Sequence, residues 1–316
     1  MPLVSVLVPC YNVEKYVSQC IDSIRSQTLE DIEIICINDG STDGTTLILR
    51  EYARLDSRIH IIEKQNSGYG DSMNKGLSLA QGKYVGIVES DDFIEPEMFQ
   101  ILYETAEREK TQITRSCYFQ YKAGVDTPVT NDCVPKNRVH NPNKEHAAFW
   151  QAPAIWCSIY ERDWLNLNKI CFLPTPGASY QDTSFAFKCY ACCERFIMLD
   201  KPLLHYRTDN ENSSINNPGK VFCVCDEWDE IYRFVRSDEK RFGHLFPLMP
   251  VLQYGTYKWN YDRLEKKLKN RFIRTWAREL FNHFIRGEMH IFEMDRETRT
   301  KIFRVISRCV YAKGGK

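Results

Sequence analysis

The sequence of 316 residues has no net charge, because 42 Lys and Arg balance 42 Asp and Glu. That balance excludes the strongly basic composition by which polynucleotide binders attract phosphate. No apolar run approaches the ~18–20 residues that cross a bilayer, so no spanning helix is expected. A glycine-rich turn after the first apolar run is also missing. Pro9-Cys10-Tyr11-Asn12 stands there instead, which argues against a dinucleotide-binding dehydrogenase. A Walker-type phosphate loop, internal repeats and low-complexity tracts are lacking too. Met1-Pro2-Leu3-Val4-Ser5 has no basic leader pattern, so no signal peptide is expected. Cysteine, by contrast, is plentiful: 13 residues, odd in number and scattered. Reduced thiols in a cytoplasmic protein are the simpler expectation. The 43% hydrophobic and 27% charged residues suit an ordinary globular chain with a sizeable core.

The first hundred residues alternate two periodicities. Residues 4–8 form a β-branched apolar run that Pro9 is expected to stop, followed by apolar runs at 32–37, 59–62 and 84–88. Between them, 14–27 places Tyr16, Val17, Cys20, Ile21 and Ile24 on one helical face. Helices are also expected over 45–55 and 72–80, the latter with Gly82 as its C-cap. Strand–helix alternation predicts an α/β fold with a mostly parallel sheet flanked by helices. In such sheets ligands bind beyond the carboxyl ends of the strands. Four unusual segments follow the four strands: Pro9-Cys10-Tyr11-Asn12, Asn38-Asp39-Gly40-Ser41, Asn66-Ser67-Gly68-Tyr69-Gly70 and Glu89-Ser90-Asp91-Asp92. Their convergence on one edge says more than any one of them. Residues 122–143, rich in Pro, Asn and Asp, read as a loop-heavy insertion. A polar stretch from Asp209 to Asn217, ending at Pro218-Gly219, reads as a boundary before a helical remainder.

The acidic cluster admits two readings. Carboxylates at a strand end can cap the next helix, which Pro96 suits. Or Glu89 and Asp91, pointing the same way on a continuing strand, can share a divalent ion with phosphate oxygens. Tyr11 offers a ring for a base to stack on, and Asp39 an acceptor for a base edge. Gly68 and Gly70 allow a backbone to pass close to a ligand. Each of these segments also suits an ordinary turn.

Together, Val-Ser-Val-Leu-Val-Pro-Cys-Tyr-Asn, Ile-Asn-Asp-Gly-Ser-Thr-Asp-Gly-Thr, Asn-Ser-Gly-Tyr-Gly with Asn74-Lys75-Gly76, and Glu-Ser-Asp-Asp resemble the family-2 glycosyltransferases. These are inverting enzymes of the GT-A fold, here of the bacterial surface-glycan type. The resemblance is dense over residues 3–100 and thins to about 215. It implies three parts: a nucleotide-sugar-binding half (1–115), an acceptor-binding half (116–220) and a C-terminal helical extension (221–316). It implies a UDP-sugar or similar donor, Mn2+ or Mg2+, and a glycan or lipid-linked acceptor. Pro9, Tyr11 and Asp39 would hold the uridine, with Asn12, Asn66, Gly68, Asn74 and Ser90 completing the donor site. Asp91 would ligate the metal, with Glu89 in place of the family's first Asp. Arg207, in His205-Tyr206-Arg207 before Asn212-Ser213-Ser214, would reach the diphosphate, and His205 the metal. Asp182 takes the place of the family's acidic base, beside Gln181, and Trp156 is a candidate acceptor wall. Asp182 also suits a plain N-cap before Thr183, and Trp156 a core position. Met73 departs from an Arg common in the family, for which Lys75 is a substitute. These departures keep a second reading open: an inactive member that binds nucleotide or glycan.

Two further features stand outside these motifs. Cys189, Cys192 and Cys193 with Cys223 and Cys225 suggest zinc, but helical spacing beside Phe185, Phe187 and Phe196 favours buried thiols. From Lys258 onward there are 16 Lys and Arg against 7 Asp and Glu. Trp276, Leu280, Phe281, Phe284 and Ile285 recur at helical spacing among Lys266, Lys267, Lys269, Arg271, Arg274 and Arg278. This stretch fits a helix packed with a solvated basic face, a partner-subunit contact, or contact with the inner face of the plasma membrane.

Overall fold

The computed structural model describes the backbone of residues 1–210 and 220–311 and side chains to 308. The chain divides into two compact units, Met1–Ser214 and Ile215–Lys316. The expected boundary at 217–219 and the Asn212-Ser213-Ser214 segment lie outside the described residues.

In the first unit β1 (Val4–Cys10), α1 (Val17–Arg25), β2 (Ile32–Asn38), α2 (Thr45–Leu55), β3 (Ile59–Glu63), α3 (Tyr69–Leu79) and β4 (Tyr84–Ile87) alternate as their periodicities require. All seven residues of β1 are buried, because β2 and β4 pair with it in parallel on either side. Pro9 does not stop this strand; it lies inside it, opposite Ile37, and Cys10 is the last paired residue. Helix α1 buries Val17, Cys20, Ile21 and Ile24, while Tyr16 stands just outside as its N-cap.

Beyond β4 the sheet changes character. β5 (Phe93–Ile94), α4 (Met98–Glu109), β6 (Ile113–Lys122), β7 (Val125–Val129), α5 (Pro142–Glu145), β8 (Ser158–Glu161), α6 (Arg162–Leu167), α7 (Gln181–Cys192) and β9 (Phe196–Arg207) complete the unit. The strand order is β3-β2-β1-β4-β8-β6-β9-β5, with β7 on β6. β8 runs antiparallel to both β4 and β6, so the sheet is mixed rather than parallel throughout. The insertion expected to be loop contains β7, hairpinned to β6 through Ala123 and Gly124, both at positive φ. β6 also straddles residues 115 and 116, so the sheet is continuous across the expected division into halves.

Two glycines set how α3 sits. It begins at Tyr69, three residues before the expected start, because Gly68 (φ +100°) turns the chain and Tyr69 N–H donates to Gly177 O at 2.9 Å. Gly70 then lies against the Leu173 backbone: a Cβ there would stand 2.1 Å from the Leu173 carbonyl oxygen. The helix ends at Leu79 with Ala80 as its cap, so Gly82 is not the C-cap. Gly82 instead closes on β1, its N–H donating to Ser5 Oγ at 2.7 Å.

The second unit, among the described residues, is helical: α8 (Cys223–Ser237), α9 (Glu239–Phe242), α10 (Met249–Arg263), α11 (Lys266–Ile285) and α12 (Arg296–Tyr311). Tyr257, Phe272 and Trp276 are among its largest buried side chains.

The Gly70 contact yields a prediction. Gly70→Ala must move the Leu173 backbone or tilt α3, which costs about 1–3 kcal/mol or more. The melting temperature should fall by several degrees; an unchanged value would show that the 173–177 segment is not packed on α3.

Candidate active site

Three loops at the strand ends are tied to one another by main-chain donors. Asn12 (φ +53°) accepts from Thr42 N at 2.8 Å and donates its own N–H to Ser41 Oγ at 3.1 Å, joining the loops after β1 and β2. Asp39, almost fully buried, accepts from Ser67 N at 2.9 Å and Gly68 N at 3.0 Å, and from Lys64 Nζ at 2.5 Å. Its carboxylate therefore fixes the third loop against the second. Lys64 also bonds Ser67 Oγ and pairs with Asp71 at 3.1 Å. Tyr11 leaves half its surface open at this edge, as a stacking platform requires, whereas Pro9 is buried in the sheet. Asn66 is exposed beside Gly40.

The acidic cluster stands next to these loops. β4 ends at Ile87, and the chain turns at Ser90-Asp91, with Asp92 N bonded to Glu89 O at 3.0 Å. Glu89 and Asp91 thus do not share one side of a continuing strand. Glu89 Oε1 accepts from the Tyr69 hydroxyl at 2.6 Å. Asp91 Oδ2 accepts from Asn210 Nδ2 at 2.8 Å. Asp92 Oδ1 accepts from Arg207 N at 2.8 Å, while its Oδ2 has no partner among the described residues. Ser90 is buried under the turn.

Asp182 comes from a later element, α7. It is the second residue of α7, whose N-cap is Tyr180 at φ +63°, so Asp182 is not the cap. Burial raises its pKa to about 6 against the bonds from Thr183. Burial also pushes Glu89 up to about 8, helped by the negative charges of Asp91 and Asp182. Asp91 and Asp92 are shifted upward as well, both mainly by burial. Burial is thus the main cause at all four carboxyl groups, and neighbouring negative charge adds to it at Glu89 and Asp92.

The nearest cation is Arg207. Its guanidinium lies 4.8 Å from the Tyr121 ring, 5.0 Å from Tyr16 and 5.8 Å from Phe93. Nε donates to the Asp91 carbonyl at 2.7 Å and Nη2 to Gln19 Oε1 at 2.6 Å. Arg207 thus braces the acidic turn through the Asp91 carbonyl.

Three other expected site residues are engaged elsewhere. Asn74 clamps the Phe172 backbone with both halves of its amide, at 2.9 and 2.8 Å. Gln181 holds the 175–179 loop through Thr175 Oγ1, Gly177 O and Ser179 N. His205 is stacked between Phe93 and Phe119, with Nδ1 2.8 Å from Asp126 and Nε2 2.9 Å from Glu95. Neither ring nitrogen is left for a metal. Trp156 is buried, stacked 5.0 Å from Tyr206 and edge-on to Tyr118 at 4.7 Å. Tyr206 in turn feels all four carboxylates, which with burial raise its pKa. Met73 is fully buried core, and Lys75 is exposed. Tyr69, Tyr206, Asn210 and Lys64 are the site residues that sequence reasoning passed over. Cys189, Cys192 and Cys193 are buried free thiols around the end of α7.

Hard oxygen donors at the mouth of a sheet suit a divalent cation such as Mn2+ or Mg2+. Asp91 and Glu89 are the residues that would hold it, with the unpartnered Asp92 Oδ2 adding to the charge it would neutralise. Among the described residues no three or more His, Cys, Asp or Glu side chains converge so as to hold a metal ion by themselves.

A mixed, mostly parallel sheet flanked by helices, with an acidic turn at its edge, is the GT-A architecture. S. aureus TarS, residues 1–349 in complex with UDP, superposes with a TM-score of 0.71 at 17% identity, over 98% of this chain and 88% of that one. The mannosyltransferase PcManGT of Pyrobaculum calidifontis, in complex with GDP-Man and Mn2+, gives 0.51 at 14%, over 99% and 88%. The family model described as glycosyl transferase family 2 matches residues 5–165. The uncharacterized glycosyltransferase EpsJ of Bacillus subtilis is 34% identical over 228 residues, 70% of this chain and 65% of EpsJ. The chain belongs to glycosyl transferase family 2. It spans less than two thirds of the length of the first curated relatives it matches.

The raised pKa of Glu89 has a consequence for stability. The folded chain holds a proton there between the ordinary value of 4.5 and about 8, so that stability is present below this window and lost as pH rises through it. Glu89→Gln keeps an acceptor for Tyr69 without the charge. Its stability should exceed wild type by roughly 4 kcal/mol at about pH 8 and come within about 1 kcal/mol of it at about pH 5, read from the melting temperatures. A variant less stable at both would contradict the shift.

Proposed function

We propose that the chain moves a sugar from a nucleotide-diphosphate sugar, UDP-linked, to a hydroxyl of a glycan or lipid-linked acceptor, with inversion. The observation that carries this is the placement of Asp182. A carboxylate 91 residues beyond Asp91 in sequence reaches the same cluster, with its pKa raised to about 6. That value suits a base that is ionised at neutral pH yet takes up a proton readily. The complexes named for TarS and PcManGT, with UDP and with GDP-Man and Mn2+, support a nucleotide donor and a divalent ion.

In the proposed step the acceptor oxygen attacks the anomeric carbon and its proton passes to an Asp182 carboxylate oxygen. The bond from that carbon to the diphosphate oxygen breaks, and the diphosphate leaves with the electron pair. A cation held by Asp91 and Glu89 supplies charge neutralisation for that leaving group. Tyr11 stacks on the base, and the main chain from Asn66 to Gly68 lines the donor. Tyr206, backed by Trp156, forms the apolar wall beside the reacting carbon. The rival reading is a member that binds donor without turnover; the Tyr69 hydroxyl on Glu89 favours it, since that bond competes with a metal for the same oxygen. The free state of all twelve cysteines among the described residues fits a cytoplasmic location.

Two measurements test the proposal. Asp182→Asn should lower kcat about 100-fold or more while leaving UDP binding with Mn2+ intact. Wild-type kcat/KM should rise with pH and level off above about 6, because the base works only when deprotonated, and the variant should lack this limb. Unchanged turnover in Asp182→Asn would remove it as base. Tight UDP binding with no turnover of any donor would favour the binding-only member. Separately, Asp91→Ala should abolish the Mn2+-dependent part of the thermal stabilisation by UDP. Full stabilisation in that variant would move the metal elsewhere.

A further inference from the structure

Helix α11 of the second unit carries an unusual stripe. Lys267, Arg271, Arg274, Arg278, Phe281 and Ile285 follow one another at spacings of four and three residues, which aligns them along one side of the helix. All six are exposed. The opposite side, with Phe272, Ile273, Trp276, Ala277 and Leu280, is buried. The stripe is therefore a free face, cationic over its first three turns and apolar at its end. Phe284, also exposed, widens the apolar end and meets the half-open Phe303 of α12 edge-on at 5.9 Å. Ile285 is 65% exposed, and Phe292, in the connection to α12, 88%.

Helix stability does not account for this pattern. Lys266, Lys267, Lys269 and Arg271 crowd the positive end of the helix dipole, where cations are unfavourable, and the first turn holds no acid. Lys267, Arg274 and Arg278 make no ion pair among the described residues; Arg271 leans on the Phe222 ring. Solubility does not account for the apolar end, since large apolar side chains in one exposed cluster are costly in water. A second copy of the chain is a poor occupant, because a twofold pairing through this face would oppose the two rows of cations. A surface with anionic headgroups above an apolar layer satisfies both halves of the stripe at once.

We propose that this face of α11 docks on an anionic lipid bilayer, with Phe281, Phe284 and Ile285 entering the headgroup boundary and Lys267, Arg271, Arg274 and Arg278 lying on lipid phosphates. No helix among the described residues is long and apolar enough to cross a membrane, so the contact is interfacial. Each cation brought to such a surface strengthens partitioning roughly fivefold. The docking does not depend on the donor or metal chemistry proposed above.

The test is vesicle flotation of the full chain, with phosphatidylcholine alone and with phosphatidylcholine containing phosphatidylglycerol. Binding is expected only with phosphatidylglycerol, and high salt should weaken it. Arg274→Glu with Arg278→Glu, and separately Phe281→Ser with Phe284→Ser, should each reduce it by about tenfold or more while leaving the melting temperature near wild type. Absence of binding to the anionic vesicles would overturn the proposal. So would equal binding by both stably folded variants, or a dimer in sedimentation velocity that the same substitutions dissociate. Binding that persists in an Asp182→Asn chain separates this surface from the transferase reading.

Discussion

The Arg207 guanidinium, enclosed by Tyr16, Phe93 and Tyr121 and bonded to the Asp91 carbonyl, is the contact on which the acidic turn depends. Carboxylates crowded out of water repel one another and drift toward the neutral form. The Arg207 guanidinium limits that drift at Asp91 and Asp92. The Arg207 main chain does the same for Asp92, donating to Oδ1. Because Arg207 ends β9 and the turn follows β4, this contact joins the late strands of the sheet to the early parallel ones. Removing one partner of such a buried arrangement commonly costs about 3–5 kcal/mol. The residual negative charge suits the cation proposed to bind there, and through it a diphosphate.

The other site contacts follow a common logic. Polar side chains that resemble ligand-binding groups are used first to hold loops in place. Asp39 ties Ser67 and Gly68, Asn74 ties Phe172, and Gln181 ties the 175–179 loop. His205 joins Glu95 to Asp126 and so fastens the β6–β7 hairpin to the strand after the acidic turn. The groups proposed to meet a substrate are few: the Tyr11 ring, the main chain from Asn66 to Gly68, Glu89, Asp91, Tyr206 and Asp182. A preorganised site needs this division between groups that position and groups that react.

Much of this was legible in the sequence and some was not. The alternation of β1 to β4 with α1 to α3 reads directly from apolar periodicity, because each element buries one face against its chain neighbours. The gathering of four loops at one edge follows from that alternation. What escaped was set by partners distant in sequence. Whether Asn74 meets a sugar or the Phe172 backbone is decided 98 residues away. β7, with Asp126, Thr127 and Pro128, has little strand character of its own and forms because β6 offers it an edge. Tyr69 sat among glycines that signalled a turn, and nothing local marked its hydroxyl as the partner of Glu89. Pro9 suggests a strand end, yet pairing with β2 carries β1 on to Cys10, three residues past its last pair with β4.

The raised proton affinity of Glu89 means that a cation and a diphosphate bound at the acidic turn should displace protons from it. Titration calorimetry of UDP with Mn2+ at about pH 7, in buffers of different ionisation enthalpy, measures this directly. Net release of protons on binding is predicted, reduced in Glu89→Gln, whose side chain has no proton to lose. Proton uptake, or binding with no proton exchange in the wild-type chain, would contradict the account.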